Sequence, residues 1–155
     1  MNYKFIDQLT CEQKIKLLSS QIGTVFFYKD NTISNSPRWY FFVGYQKNSF
    51  FFVLPQKNVT RRLLARNETR KNLKTLLIVN ETDYPELSLE SVFDCNTIIE
   101  RDREWLISIC ENSNFRIKTK CPCKLLNNIV KKIYNSNLIS PKIKEIIKKC
   151  NSSGT

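Results

Sequence analysis

Apolar positions along this chain alternate between helical and strand spacing. From residue 8 to 20, Leu9, Ile15, Leu17 and Leu18 fall behind Thr10 and Gln13, a capping-box pair, and predict a helix over 8–20. Gly23 ends that element. Three aromatic and aliphatic runs follow at strand length: Val25–Lys29, Trp39–Gln46 and Phe50–Leu54. The polar tetrad Gln46-Lys47-Asn48-Ser49 joins the last two as a hairpin. The runs carry so few charges that they predict strands buried on both faces, or a small curled sheet with a full interior. Pro55 closes the third strand, because it has no N–H to give to a central ladder.

Residues 58–74 break the apolar pattern. Arg61, Arg62, Arg66, Arg70, Lys71 and Lys74 lie here. On a helix, Arg62, Arg66 and Arg70 share one face at four-residue spacing. Asn67 and Asn72 favour a loop instead. Thr75–Val79 reads as a strand, and Leu87–Asp94 contains a short one. Glu100–Glu111 reads as a helix, another follows Pro122, and Ser140-Pro141 caps and opens the last. The order predicts one α+β domain over residues 1–155, with an N-terminal helix at 8–20, a sheet core at 22–98 and a helical part at 100–150. The sheet is mostly antiparallel and curled, with helices on one side.

Charge changes this picture more than composition does. Residues 31–80 hold nine basic and one acidic side chain, residues 81–110 two basic and eight acidic, and residues 111–155 ten basic and two acidic. The net charge is +11. Two basic segments held apart by a negative one attract polyanions, since bound Lys and Arg release counterions condensed on phosphate. Nucleic acid is the leading partner class. No apolar run reaches the ~18 residues of a membrane span, so no membrane partner is expected. The N-terminus does not read as a secretory signal, which predicts a cytoplasmic protein with reduced thiols.

Candidate chemistry is narrow. With no His, Ser-His-Asp and Cys-His arrangements are excluded. Three Gly residues supply neither a dinucleotide fingerprint nor a P-loop. Cys121-Pro122-Cys123 has the wrong spacing for a zinc knuckle, and no metal or other cofactor is expected. Cys121 and Cys123, between Lys120 and Lys124, are the thiols in the most nucleophile-like setting, although burial as small hydrophobes is the ordinary role. Glu81, Asp83, Glu86, Glu90 and Asp94 lie in one stretch and read as a solvated face rather than converging metal ligands. Arg38 stands out. It opens the second strand beside Ser34 and Ser36, where a guanidinium can hold a phosphate bidentately and stabilise charge developing on phosphorus. Lys57, past the third strand, is expected on the same rim.

Gly23-Thr24-Val25 before an aromatic strand, Ser36-Pro37-Arg38 before Trp39–Gly44, Phe50–Lys57, Glu86–Ile98 and Arg101–Leu106 follow one another in an order that resembles the PemK/MazF-like ribonuclease toxins over roughly residues 22–110. The resemblance implies an SH3-like small β-barrel, often dimeric. It implies cleavage of single-stranded RNA without metal, by attack of the substrate's own 2′-OH, and an acidic antitoxin-like protein as partner. Arg38 would be the phosphate-stabilising catalytic residue, assisted by Lys57 and Gln56. Ser34, Ser36, Arg61, Arg62, Arg66, Arg70, Lys71 and Lys74 would bind the RNA. The chain departs from the family where Pro55-Gln56-Lys57 replaces a Ser or Thr, and where Trp39 rather than Pro follows Arg38. A lysine amine titrates near about 10.4, a poor match to base catalysis. Three functions therefore stand side by side: an RNA-cleaving enzyme, a nucleic-acid-binding module without chemistry, and a regulator or inhibitor whose basic faces meet an acidic protein.

Overall fold

Thr10 opens the first helix as a capping box. Its hydroxyl accepts from the Gln13 amide at 3.2 Å, and the Gln13 side chain accepts from the Thr10 amide at 3.0 Å. The resulting α1 spans Cys11–Ser20. The computed structural model describes residues 9–33, 36–57, 75–79, 84, 87, 91–112 and 114–152, with Lys57 and Thr119 described in their backbone. After α1 come β1 (Thr24–Tyr28), β2 (Arg38–Gln46), β3 (Ser49–Val53), β4 (Pro55–Lys57), β5 (Leu76–Val79), β6 (Ser91–Asp94) and β7 (Ile99–Arg101). Then follow α2 (Arg103–Cys110), β8 (Arg116–Lys120), α3 (Cys123–Tyr134) and α4 (Pro141–Ser152). The class is α+β, as the element order predicts. The strands form two antiparallel sheets, β7-β3-β2-β1-β8 and β4-β6-β5, and among the described residues these do not join into a closed barrel.

The larger sheet is buried on both faces, because its central strands are apolar at odd and even positions alike. Phe26, Tyr40, Phe42, Phe50 and Phe52 face α1 and α2 through Leu18, Leu106 and Ile109. Val25, Phe41, Val43, Phe51 and Val53 face the smaller sheet and the helices α3 and α4, where Phe93, Ile129 and Ile147 meet them. The expectation of helices on one side is thus corrected: each apolar face needs a cover, so α1 and α2 take one and α3 and α4 the other. Pro55 does end the third strand, and it also begins β4. There it sits on an edge strand opposite Phe93, where a missing N–H costs no central bond. The predicted hairpin is present, with Lys47 at φ 53° in its two-residue turn.

Gly44 shows how α4 docks. The β2–β3 register shifts between Phe42 and Gly44, and α4 crosses at that bulge. Asn151 Nδ2 donates to the Val43 carbonyl at 2.8 Å, and the Cys150 thiol donates to the Tyr45 carbonyl at 3.2 Å. A Cβ on Gly44 would lie 3.0 Å from Ile147 Cγ1 and 3.2 Å from its Cα, so the helix backbone itself would have to retreat. We expect Gly44→Ala to lower unfolding free energy by about 1–3 kcal/mol, an overpacking effect read by urea denaturation. No loss would mean that α4 does not seat on this bulge.

Among the described residues, buried polar side chains are nearly all satisfied. Ser136 is buried and donates to Asn96 Oδ1 at 2.6 Å, while Asn96 Nδ2 donates to Thr75, tying the α3–α4 turn to the smaller sheet. Asp30 is buried beside Arg101, which donates to it at 3.2 Å. Burial alone would raise the Asp30 pKa, but hydrogen bonds from Thr32 and the Arg101 guanidinium outweigh it and hold the carboxyl below its usual value. Among the described residues the exception is the Tyr40 hydroxyl, fully buried without a hydrogen-bond partner. Burial, and then the Asp30 charge, raise its pKa and keep it protonated. Tyr40→Phe should therefore raise stability, by about 1 kcal/mol, because it deletes a desolvated hydroxyl and keeps the ring stacked on Phe26. A destabilised variant in thermal or urea melts would show instead that the hydroxyl is engaged by buried water.

Candidate nucleic-acid interface

Arg38 lies at the first position of β2, opposite Tyr28 of β1. Its Nη2 donates to the Pro55 carbonyl at 3.0 Å, across the corner where the chain passes from one sheet to the other. A guanidinium carries five N–H donors in a rigid fork, so this bond orients the group and leaves others for an anion. The fork lies in the wall of a cleft of about 400 Å³, with Ser36, Trp39, Gln56, Leu87 and Ser91 around it. The structure thus brings together Arg38, Gln56 and Ser36. Lys57 is the next residue of β4, opposite Ser91 in the ladder, and its backbone is what is described. Ser34 and the basic residues Arg61, Arg62, Arg66, Arg70, Lys71 and Lys74 lie outside the described residues.

The cleft is chemically simple. Its described lining offers a cation, hydroxyls, an amide and an indole, with neither a carboxylate nor an imidazole. That set can bind and polarise a phosphodiester, and it supplies no general base of ordinary pKa near neutrality.

A neighbouring depression of about 420 Å³ escaped the sequence reading. Lys29, Arg116 and Lys118 line it together with Phe27 and Asn114, and Pro37 forms the ridge it shares with the Arg38 cleft. Phe27 stands opposite both Trp39 of β2 and Arg116 of β8. The Phe27 and Trp39 ring centroids are 4.8 Å apart, and Lys118 Nζ lies 5.8 Å from the Trp39 ring. The signal was there in Arg116-Ile117-Lys118-Thr119-Lys120, which alternates with period two and buries Ile117 against Phe26. So charged a run is tolerated because β8 is an edge strand.

Of the two thiols in the most nucleophile-like setting, the structure removes Cys121. Cys121 is buried, and burial, aided by the neighbouring Cys123, pushes its thiol up to about 12, so it is no nucleophile at neutral pH. Burial likewise lifts Cys95 to about 12 and Cys110 to about 11. Cys123 is exposed. Asp94 is buried in β6 and accepts from the Asn96 amide at 3.1 Å, which corrects its assignment to a solvated face. Glu81, Asp83, Glu86 and Glu90 lie outside the described residues. Among the described residues, no helix is long and apolar enough to cross a membrane. No protein-family model, curated protein or solved structure matches the chain.

Proposed function

We propose that this protein binds single-stranded RNA in the Arg38 cleft and across the basic, aromatic surface beside it. The observation that carries this reading is the Arg38 fork, oriented by the Pro55 carbonyl at 3.0 Å within a cleft that also holds Ser36 and Gln56. An oriented guanidinium among hydroxyls and amides suits a phosphodiester, and the net charge of +11 favours the same partner class over long range. The resemblance to PemK/MazF-like toxins adds cleavage: the substrate's 2′-OH loses its proton and attacks the adjacent phosphorus, the P–O5′ bond breaks to leave a 2′,3′-cyclic phosphate, and the departing 5′-oxygen takes up a proton; Arg38 stabilises the charge that develops, and Gln56 and Lys57 assist. In the same reading the β3–β4 corner at Leu54 and Pro55 is the bend of an SH3-like barrel, and an acidic antitoxin-like protein or a second copy of the chain covers part of this face.

The test uses the purified full chain and single-stranded RNA in EDTA. Binding should fall steeply as salt rises, with log affinity linear in log salt. Cleavage, where it occurs, should leave 2′,3′-cyclic phosphate ends. Binding that is absent at low salt sinks the reading. Binding without cut ends retains the interface and removes the chemistry.

A further inference from the structure

Trp39 stands between two neighbouring depressions of the surface. Its ring forms part of the Arg38 cleft wall, and it also packs at 4.8 Å against Phe27, which belongs to the next depression. Both rings are half-buried, so each is held rigidly and still presents area to solvent. Cations surround them: Lys118 stands over the Trp39 ring, Arg116 lies opposite Phe27, and Lys29 follows at the end of β1. None of the described residues lining either depression is acidic. Proteins that hold single strands combine these two features, aromatic faces for bases and a cationic track for the backbone. A duplex would hide its base faces inside the helix, so the rings gain nothing from it.

We propose that Trp39 and Phe27 form a base-stacking step next to the Arg38 cleft, with Arg116 and Lys118 of β8 and Lys29 holding the phosphates of the strand that leads into it. This rests on the reading that the Arg38 cleft binds single-stranded RNA, and adds the requirement for an unpaired base and a path across β8. Sequence preference should be modest, because every base has a π-face and these groups read no base edge.

The experiment measures anisotropy of a short labelled single-stranded RNA, and of an abasic strand of the same length and charge, against the full chain. The abasic strand should bind roughly 5- to 150-fold more weakly, the loss of one stacked base. The exposed or half-buried cations allow a second variant that keeps the core: in Arg116→Gln/Lys118→Gln, the slope of log affinity against log salt should fall by about 1.4, two phosphate contacts at about 0.7 each. Arg38→Ala should weaken both strands and leave their ratio intact. Equal affinity for the two strands, or an unchanged slope in the double variant, overturns the stacking step while RNA binding stands. If neither strand binds, the RNA reading falls and takes this inference with it.

Discussion

Arg38→Ala should weaken binding of single-stranded RNA roughly 10- to 150-fold, the loss of about 1.5–3 kcal/mol that accompanies hydrogen bonds to a charged partner. Where the RNA is cut, the rate should fall further, by roughly 10²–10³, since a donor aimed at developing charge contributes more in the transition state than in the ground state. The same substitution should leave the fold in place. It removes one bond to the Pro55 carbonyl, worth about 1 kcal/mol, from a half-buried side chain. Arg38→Lys separates charge from geometry. It keeps the cation and loses the fork, so it should recover part of the affinity and little of the rate. Binding that is indifferent to both variants would place the phosphate elsewhere on the molecule.

Phe41→Ala should cost about 3–5 kcal/mol of stability, close to the whole reserve of an ordinary domain. Phe41 is fully buried and joins the two sheets. Its ring meets Phe93 of β6 edge-on at 4.9 Å and Tyr84 at 5.5 Å. Deleting it removes both ring contacts and opens a void that the stiff strands around it cannot close. Urea denaturation should show a much lower midpoint. A loss below about 1 kcal/mol would mean that β2 and β6 do not pack across this core. The consequence reaches the Arg38 cleft, since β4, which carries Gln56, is held to the larger sheet through this contact layer and the Arg38–Pro55 bond.

The elements that the sequence displays most openly are those with a single strong period. Helix α1 is announced by Thr10 and Gln13, α4 by Ser140 and Pro141, and the β2–β3 hairpin by four polar residues between aromatic runs. Each depends on local chemistry, so each is visible locally. Burial of the central sheet on both faces was legible for the same reason, from runs such as Trp39–Gly44 and Phe50–Val53. What stayed hidden depends on neighbours distant in sequence. Strand β7 looks like the beginning of a helix, because Ile99–Arg101 leads straight into one; its strand state comes from pairing with β3, and Asp102 then caps α2 by accepting from the Trp105 amide at 2.8 Å. Strand β8 is short and highly charged, so its period-two alternation is a weak signal, and its strand state comes from pairing with β1. Helices on both sides of the sheet could not be read from element order, which carries no side assignment.

The candidate site divides in the same way. Arg38 was found from its position at a strand mouth, and Gln56 joins it because Pro55 turns the chain from one sheet into the other at that point. Arg116 and Lys118 were missed because their relevance comes from the β1–β8 pairing, which sets them beside Phe27 and Trp39. Cys121 takes the ordinary role of a buried thiol: Lys120 and Lys124 flank the Cys121–Cys123 pair in sequence, yet the Cys121 side chain is buried, and burial rather than neighbouring lysine charge governs its ionisation.

Photo-crosslinking of 4-thiouridine-containing single-stranded RNA to the full chain, followed by mass spectrometry of the joined peptides, locates the bound strand directly. Crosslinked peptides should contain Trp39 or its neighbours in β2, and Phe27 or β8 residues, and the Arg38→Ala variant should lose most of the β2 signal. Crosslinks confined to the lysine-rich helices α3 and α4, with none on β1, β2 or β8, would contradict an RNA site at the Arg38 corner.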